Sequence, residues 1–381
     1  MKYNLHHGNN IEVLRQYPDN YFHSCPTDPP YGLRFMGRKW DYQVPSIAEW
    51  EAIYRVLRPG AFVIAFGGTR TYHRLVCNIE DAGFEIRDMM AWIYGSGFPK
   101  SHNITDELGT ALKPAIEPIV LARKPLDGTV QENYDRWKTG VLNIEACRIP
   151  GEPWTFGSQT KLNGGNYGTN RPSDGHVHAT NVTGGERGRW PANIQHDGSD
   201  EVLAVFPNSK GQQGDVKGTE PRNTGDENTV AYGKFNRVGF RKRREDDGSA
   251  ARFFYCSKAS RADRNEGCES MDKKSMLWSS GTKKLGSFQS ENTDRSSQNN
   301  WPTVKPTNLM RYYVRLITPP KGIVLDPFMG SGSTGKACAY EFAEEFVGID
   351  RESDALPIAK ARIEYALRNR DGQINIFETK Q

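Results

Sequence analysis

A glycine-rich turn near the carboxyl end of the chain reads Asp326-Pro327-Phe328-Met329-Gly330-Ser331-Gly332-Ser333-Thr334-Gly335. An apolar run, Ile323-Val324-Leu325, precedes this turn, and a helical segment over about 334–342 follows it. Glycines between a strand and a helix let the backbone approach a ligand closely, and the amino end of the helix favours an anionic group. The pattern therefore predicts a loop that binds a nucleotide or a nucleoside.

One acid completes this pattern. Asp350 lies 20 residues after Gly330, at the end of the next apolar run, where a carboxylate can accept hydrogen bonds from both hydroxyls of a ribose. A nicotinamide dinucleotide and a purely structural turn are alternative interpretations. Only 31 residues follow Asp350, so we expect the remaining strands to come from sequence before the loop. A nucleoside cofactor with a short carboxylate tail suits such a site as well as a pyrophosphate does.

The amino-terminal third supplies strands of this kind. Apolar runs at 62–66, 89–94 and 119–123 alternate with helical segments at 48–57 and 72–81. Alternating strands and helices predict a mostly parallel sheet that is covered on both faces. Two strands near the carboxyl end would not form a stable sheet alone, so we predict one α/β domain built from both ends of the chain.

The middle of the chain has a different composition. It holds 20 of the 38 glycines, between Gly151 and Gly286, and few periodic apolar runs. A disordered insertion is one interpretation, because such a composition buries little apolar surface. Aromatic residues such as Trp190, Phe206 and Phe254 favour the other, an ordered module rich in loops.

The second landmark is Thr27-Asp28-Pro29-Pro30-Tyr31. The two prolines fix the backbone and lack N–H donors, which leaves carbonyl acceptors beside a carboxylate and an aromatic ring. Such a group can hold an amino group on a flat ring, and a Pro-Pro turn with a capping Asp is the alternative. Pro26 is unfavourable in a central strand, so we expect the strand before Asp28 to be short or distorted.

Taken together, the chain resembles the beta-class amino-methylating DNA methyltransferases. The resemblance is carried by Asp28-Pro29-Pro30-Tyr31, then Trp301-Pro302-Thr303-Val304-Lys305-Pro306, and then the glycine-rich turn. It implies an α/β, Rossmann-like S-adenosylmethionine methyltransferase fold in permuted motif order, with an inserted loop-rich target-recognition domain. Residues 1–150 would form the catalytic half, 151–300 the inserted DNA-binding region and 301–381 the cofactor-binding half.

The resemblance also implies roles for individual residues. In the pocket for S-adenosylmethionine, Asp350 would bind the ribose, and Asn9 stands where many members have an acid that contacts adenine. Thr303 and Lys305 would lie near the methionine tail. The full predicted cofactor set is Asn9, Thr303, Lys305, Asp326, Phe328, Gly330, Gly332, Thr334 and Asp350. The catalytic motif would be Asp28, Pro29, Pro30 and Tyr31, and no metal is expected.

An exocyclic amine on a base is a weak nucleophile, because its lone pair is delocalised into the ring. Asp28 and the Pro29 carbonyl would accept its two hydrogens, and Tyr31 would stack on a base extruded from double-stranded DNA. In the resembling family an Asp at the head of this motif accompanies adenine N6 more often than cytosine N4. We therefore predict N6-adenine methylation, with N4-cytosine methylation as the alternative.

A basic cluster in the middle of the chain is the predicted site of phosphate contact. Arg241, Lys242, Arg243 and Arg244 stand in a run with interleaved aromatic residues, and three acids follow them. The alternative is a solvated charged face. Lys39 belongs to the segment after Tyr31, which we interpret either as a lid over the extruded base, with Lys39 on DNA, or as an ordinary loop with a packed Trp.

The whole-chain composition is compatible with this function. The formal net charge of +4 permits a polyanionic partner, and no apolar run is long enough for a membrane span. We expect a cytoplasmic protein of a bacterial or phage-infected cell, with a homodimer and a cognate restriction endonuclease as compatible partners. Alternatives are an NAD-dependent dehydrogenase, a catalytically silent DNA-binding protein, and a methyltransferase acting on RNA or protein.

Overall fold

The structure is a computed structural model. It describes residues 1–34, 39–97, 102–105, 107–151, 155–157, 181–183, 188–209, 247–257, 261–275 and 296–370. The chain divides into two compact units. The first comprises Met1–Cys147, Ala192–Val202 and Tyr255–Gln381, and the second comprises Arg148–Pro191 and Leu203–Phe254.

The described strands and helices follow in chain order. The strands are β1 Lys2–His7, β2 Phe22–Thr27, β3 Leu57–Phe66, β4 Glu85–Ile93, β5 Ile116–Arg123, β6 Thr155–Gly157, β7 Asn181–Thr183, β8 Ile194–His196, β9 Tyr255–Cys256, β10 Lys274–Ser275, β11 Ser296–Ser297, β12 Ile323–Asp326 and β13 Glu345–Asp350. The helices are α1 Asn10–Leu14, α2 Ile47–Val56, α3 Tyr72–Asp81, α4 Val130–Trp137, α5 Asp200–Val205, α6 Arg261–Asn265, α7 Thr307–Ile317, α8 Ser333–Tyr340 and α9 Ala355–Asn369.

The first unit is built on a nine-stranded sheet. Its order is β1-β13-β12-β2-β3-β5-β4-β8-β9. Six neighbouring pairs are parallel, and the two antiparallel pairs both involve β5. In this order β12, from the carboxyl end, lies directly beside β2, and β13 follows β12. The predicted α/β fold, with a mostly parallel sheet made from both ends of the chain, is therefore confirmed.

The burial of β3 shows how both faces of the sheet are covered. Phe62, Ile64 and Phe66 pack into one apolar cluster, and Val63 and Ala65, which alternate with them, pack into another. Successive side chains of a strand point to opposite faces, so both faces at β3 lie in apolar cores. This explains why the strand is an almost continuous apolar run in the sequence.

Strand β2 was expected to be short or distorted. It has full length, but its pairing with the neighbouring strands is irregular. It spans six buried residues, including Pro26, so it is not short. Its register against β3 shifts between Phe22 and Ser24, and its register against β12 contains the single pair Ser24 and Val324. The proline is thus accommodated in a full-length strand with irregular pairing.

The second unit holds a two-stranded antiparallel sheet of β6 and β7. Ile149 and Arg189 form an antiparallel bridge, as do Asn208 and Ser249. The Phe206 and Phe254 rings pack with their centroids 5.5 Å apart. In the part of the chain that the structure describes, no helix combines the length and apolar character needed to cross a membrane.

Candidate active site

The candidate site lies at one edge of the large sheet. Asp326 ends β12, Asp350 ends β13, and Asp28 follows β2. These three strands are parallel neighbours, so their carboxyl ends meet at the same edge, where α/β sheets bind ligands. A pocket opens there, and the predicted residues that line it are Asp28, Pro30, Thr303, Lys305, Asp326, Phe328, Gly330, Thr334 and Asp350.

The glycine loop (residues 327–332) connects β12 to α8. Gly330 and Gly332 have φ of +50° and +74°, which side-chain-bearing residues rarely adopt. A Cβ on Gly330 would lie 2.8 Å from Trp301 Nε1, and a Cβ on Gly332 would lie 2.7 Å from Ala359 Cβ. Both glycines are therefore required by the loop itself. Gly332 packs against α9, whereas Gly330 lines the pocket.

Asp350 holds this loop to the end of β13. Its Oδ2 accepts a hydrogen bond from the Gly330 N–H at 2.7 Å, and its Oδ1 accepts one from the Glu352 N–H at 2.8 Å. Burial raises the pKa of Asp350 to about 6. The carboxylate is thus positioned by backbone donors at the pocket wall, where its remaining lone pairs can accept from a ligand.

Asp326 joins the loop to the end of β2, just before the predicted catalytic motif. Its Oδ1 accepts hydrogen bonds from Thr27 Oγ1 at 2.6 Å and from the Phe328 N–H at 3.2 Å. Burial raises its pKa to about 6 as well. Thr334 Oγ1 lies 3.4 Å from the Pro26 carbonyl oxygen and so ties α8 to β2.

A buried arginine on α9 donates hydrogen bonds to the glycine loop and to the first residue of α8. Arg362 is fully buried, and its Nη1 donates to the Ser331 carbonyl at 3.0 Å and to the Ser333 hydroxyl at 3.0 Å. The Ser333 hydroxyl donates in turn to the Lys305 carbonyl at 2.9 Å. Sequence reasoning missed Arg362, because a cation on an amphipathic helix is normally solvated.

Asp28 and Lys305, which line the pocket, form a cluster of four polar side chains with Tyr31 and Glu117, and we call it the Asp28 cluster. Lys305 Nζ lies 2.7 Å from Asp28 Oδ2 and 3.4 Å from Glu117 Oε2. The Tyr31 hydroxyl lies 2.9 Å from Asp28 Oδ1 and 3.0 Å from Glu117 Oε2, and it accepts from Lys305 at 3.1 Å.

Charge interactions decide the ionisation of this cluster. Burial by itself would lower the pKa of Lys305, but Asp28 and Glu117 outweigh it and the pKa is raised. Burial raises the pKa of Glu117, and Lys305 opposes the shift without cancelling it. Burial, with both carboxylates, raises the pKa of Tyr31 well above its usual value. Lys305 and Tyr31 thus remain protonated donors.

The turn after Tyr31 is fixed by Asp41, which is 2% exposed. Asp41 Oδ1 accepts from the N–H groups of Tyr31 at 2.7 Å and Gly32 at 2.9 Å. Trp40, one residue earlier, lines the pocket and stacks with Trp301, with ring centroids 6.4 Å apart. A packed Trp, as in the ordinary-loop interpretation, is therefore present at Trp40. Residues 35–38 of the proposed lid lie outside the described residues.

Of the two amino-terminal asparagines, Asn10 lines the pocket and the predicted residue, Asn9, does not. Asn9 caps α1, with its side chain accepting from the Ile11 N–H at 2.9 Å. Asn10 lines the pocket instead and is 4% exposed, and its Oδ1 is buried without a hydrogen-bond partner. An unpaired buried acceptor in a pocket is costly unless a ligand donates to it.

The predicted DNA contacts cannot be placed in the same way. Lys39 begins a short 3-10 turn that ends at Asp41. Arg241, Lys242, Arg243 and Arg244 lie outside the described residues. Among the residues that the structure does describe, no group of three His, Cys, Asp or Glu side chains could hold a metal ion.

The fold thus brings the glycine loop, Asp350 and the Asp28 carboxylate to one pocket at the carboxyl ends of parallel strands. Residues 22–361 match the family model described as DNA methylase, the N6/N4 methyltransferase family, and the chain belongs to this family. Membership confirms the resemblance stated above, and S-adenosylmethionine is the cofactor of the family.

Individual relatives are similar over shorter stretches. The chain is 41% identical over 63 residues to the type II methyltransferase M2.DpnII of Streptococcus pneumoniae, and 40% identical over 62 residues to the type II methyltransferase M2.LlaDCHI of Lactococcus lactis subsp. cremoris. Each match covers 16% of this chain and 23% of the relative. A solved structure, the cytosine-N4-specific PvuII DNA methyltransferase, is 12% identical with a TM-score of 0.48, over 98% of this chain and 94% of that one.

Proposed function

We propose that the protein is a site-specific DNA methyltransferase that transfers the methyl group of S-adenosylmethionine to the exocyclic N6 of an adenine extruded from the duplex. One observation carries the proposal. The Asp28 carboxylate faces the same pocket as the glycine loop and Asp350, in a chain that belongs to the DNA methylase family.

The residues at the glycine-loop side fit the cofactor. Asp350 has acceptor capacity for ribose hydroxyls, and the unpaired Asn10 Oδ1 can accept from the amino group of an adenine. Because Lys305 is engaged with Asp28, we assign the methionine end to Thr303 and Ser331 rather than to Lys305. When bound, S-adenosylmethionine supplies a methyl group that is already activated by its sulfonium.

The residues at the Asp28 side fit an amino group. Asp28 accepts one amine hydrogen and the Pro29 carbonyl accepts the other, which holds the nitrogen lone pair toward the methyl donor. Tyr31 and Pro30 would border the space for the flat base, and the Tyr31 hydroxyl lies within hydrogen-bond distance of Asp28 and Glu117. The Thr71 hydroxyl takes no part in the chemistry. It donates a hydrogen bond to the Tyr31 carbonyl at 2.6 Å and so holds the backbone of Tyr31 in place.

The choice of base rests on the motif. An Asp at its head, Asp28, favours adenine N6, whereas an amino group of cytosine would meet the same acceptors. We further propose that residues 151–300, with Arg241, Lys242, Arg243, Arg244 and Lys39, contribute target recognition and phosphate contacts. Double-stranded DNA is the proposed substrate, and a homodimer and a cognate restriction endonuclease are the proposed partners.

The test is expression of the protein and of Asp28→Ala in cells that lack amino methylation of DNA bases. Their DNA is digested to nucleosides and quantified by mass spectrometry. We expect N6-methyladenine from the unaltered protein only. Detection of N4-methylcytosine instead would support the same mechanism with cytosine as the target base. Absence of both modified nucleosides, in a protein that binds S-adenosylmethionine and duplex DNA in vitro, would contradict the proposed activity.

A further inference from the structure

Glu117 is a second carboxylate beside the catalytic motif, and neither Asp-Pro-Pro-Tyr nor the glycine loop contains it. It lies near the amino end of β5, 86 residues after Tyr31. Its Oε2 is 3.0 Å from the Tyr31 hydroxyl and 3.4 Å from Lys305 Nζ. Its side chain is 19% exposed and that of Lys305 is 8% exposed, so solvent screens this interaction only weakly.

The charge count of the Asp28 cluster shows what Glu117 adds. Asp28 and Lys305 at 2.7 Å form an ion pair with no net charge. The Glu117 carboxylate on the same ammonium changes the net charge of the cluster to −1. Without Glu117, Lys305 would neutralise the carboxylate that faces the substrate.

This charge matters for the reaction proposed above, on which the inference rests. As the amine nitrogen bonds to the methyl carbon, the carbon–sulfur bond breaks with its electron pair left on sulfur. The nitrogen becomes positively charged until one N–H proton leaves, and Asp28 is the acceptor placed to receive it. A site with net negative charge stabilises the developing cation, whereas a neutral ion pair does so much less.

We propose that Glu117 is a positioning residue that shares Lys305 with Asp28 and so keeps the Asp28 carboxylate available, as an anion, to the target amine. Tyr31 takes part through its hydroxyl, which lies within hydrogen-bond distance of both carboxylates. Glu117 thereby acts on the rate of methyl transfer through Lys305 and does not contact the cofactor.

The experiment compares four purified proteins: unaltered, Glu117→Gln, Glu117→Asp and Glu364→Gln. Glu364 is a matched control, since it also accepts from a tyrosine hydroxyl, Tyr3 at 2.8 Å, but belongs to α9. The measurements are the methyl-transfer rate on unmethylated duplex DNA at saturating S-adenosylmethionine, the calorimetric affinity for S-adenosylmethionine, and the thermal midpoint.

We expect Glu117→Gln to slow methyl transfer by about 10- to 100-fold, because an isosteric amide removes one charged hydrogen-bond partner. The affinity for S-adenosylmethionine should stay within about twofold, and Glu117→Asp, which restores the charge, should recover part of the rate. Glu364→Gln should match the unaltered protein. A Glu117→Gln rate within threefold of the unaltered rate overturns the inference, as does an equal loss in Glu117→Gln and Glu117→Asp.

A double-mutant cycle tests whether the effect passes through Lys305. In a Lys305→Met background, Glu117→Gln should change the rate by less than about twofold, because there is no ammonium left to share. The same 10- to 100-fold loss in that background would show an independent role and overturn the inference. Failure of the proposed function is separable, because the unaltered protein would then transfer no methyl group to DNA.

Discussion

The two sides of the pocket are assembled in different ways. The glycine loop and Asp350 come from one β-turn-α-β segment of 28 residues, in which Asp350 reaches Gly330 over 20 positions. The Asp28 cluster draws on three distant places, with Lys305 lying 277 residues from Asp28. A ligand site made by consecutive residues can be recognised as a motif, whereas a charge cluster made by the sheet topology cannot.

The largest effect is expected from removing the proposed amine acceptor, Asp28, which should impair methyl transfer but leave the cofactor side of the pocket intact. Asp28→Asn keeps the shape of the side chain but removes the charge that Lys305 and the target amine share. We expect methyl transfer to fall about a thousandfold or more. Calorimetry should find the affinity for S-adenosylmethionine within a few-fold of the unaltered value. A parallel loss of cofactor binding would show that the two sides are not separate.

The converse change weakens the cofactor side. Asp350→Asn replaces a carboxylate that accepts from the Gly330 N–H, and we expect about 10- to 100-fold weaker binding of S-adenosylmethionine. The transfer rate at saturating cofactor should fall much less than in Asp28→Asn. If calorimetry finds that Asp350→Asn binds S-adenosylmethionine with the affinity of the unaltered protein, Asp350 is not part of the cofactor site.

The two sides of the pocket also differ in how far they could be predicted from the sequence. The loop, Asp350 and the Asp-Pro-Pro-Tyr motif are local patterns with known geometric consequences. Of these residues, Asp28, Pro30, Phe328, Gly330 and Asp350 line the pocket. Glu117 could not be predicted, because it enters through an antiparallel strand. In the register of β3 and β5, Phe66 pairs with Ile119, so the amino end of β5 lies at the edge where the parallel strands end. If β5 ran parallel to β3, as expected in a mostly parallel sheet, the amino end of β5 would lie at the opposite edge.

Two further differences between the expected and the observed contacts have local causes. Asn9 and Asn10 differ by one position, and a helix cap decides between them, because the Asn9 side chain turns back to the Ile11 N–H. Lys305 was expected near the methionine tail, but its motif does not reveal that two carboxylates lie within 3.4 Å of its ammonium. Both outcomes depend on contacts that spacing along the chain does not specify.

A backbone change tests how rigid the cofactor side must be. Gly332→Ala puts a Cβ into left-handed backbone and within 2.7 Å of Ala359 Cβ. We expect a loss of about 1–3 kcal/mol in the free energy of unfolding, measured by denaturant titration. Gly83→Ala is the control, since its φ is +100° but the nearest atom would be 3.3 Å away. Equal losses in the two variants would mean that the contact with α9 is unimportant.

The smallest expected effect is a pH dependence confined to the cofactor side. Burial raises the pKa of Asp350 to about 6, and the ionised form is the one that accepts hydrogen bonds from hydroxyls. The affinity for S-adenosylmethionine should therefore fall about tenfold from pH 7 to pH 5. The titratable neighbours His7, Arg351, Glu352 and Asp326 are retained in Asp350→Asn, so a shallower dependence in that variant isolates Asp350. An unchanged slope would assign the effect to a neighbour.

The most direct measurement is methyl transfer by the purified protein. S-adenosylmethionine labelled in its methyl group is incubated with unmethylated duplex DNA and either the unaltered protein or Asp28→Asn, and the labelled nucleosides are identified. We predict labelled N6-methyladenine from the unaltered protein, and none from Asp28→Asn although it binds the cofactor. Equal labelling by both proteins, or binding of S-adenosylmethionine without any transfer to DNA by the unaltered protein, would contradict an active site built on Asp28.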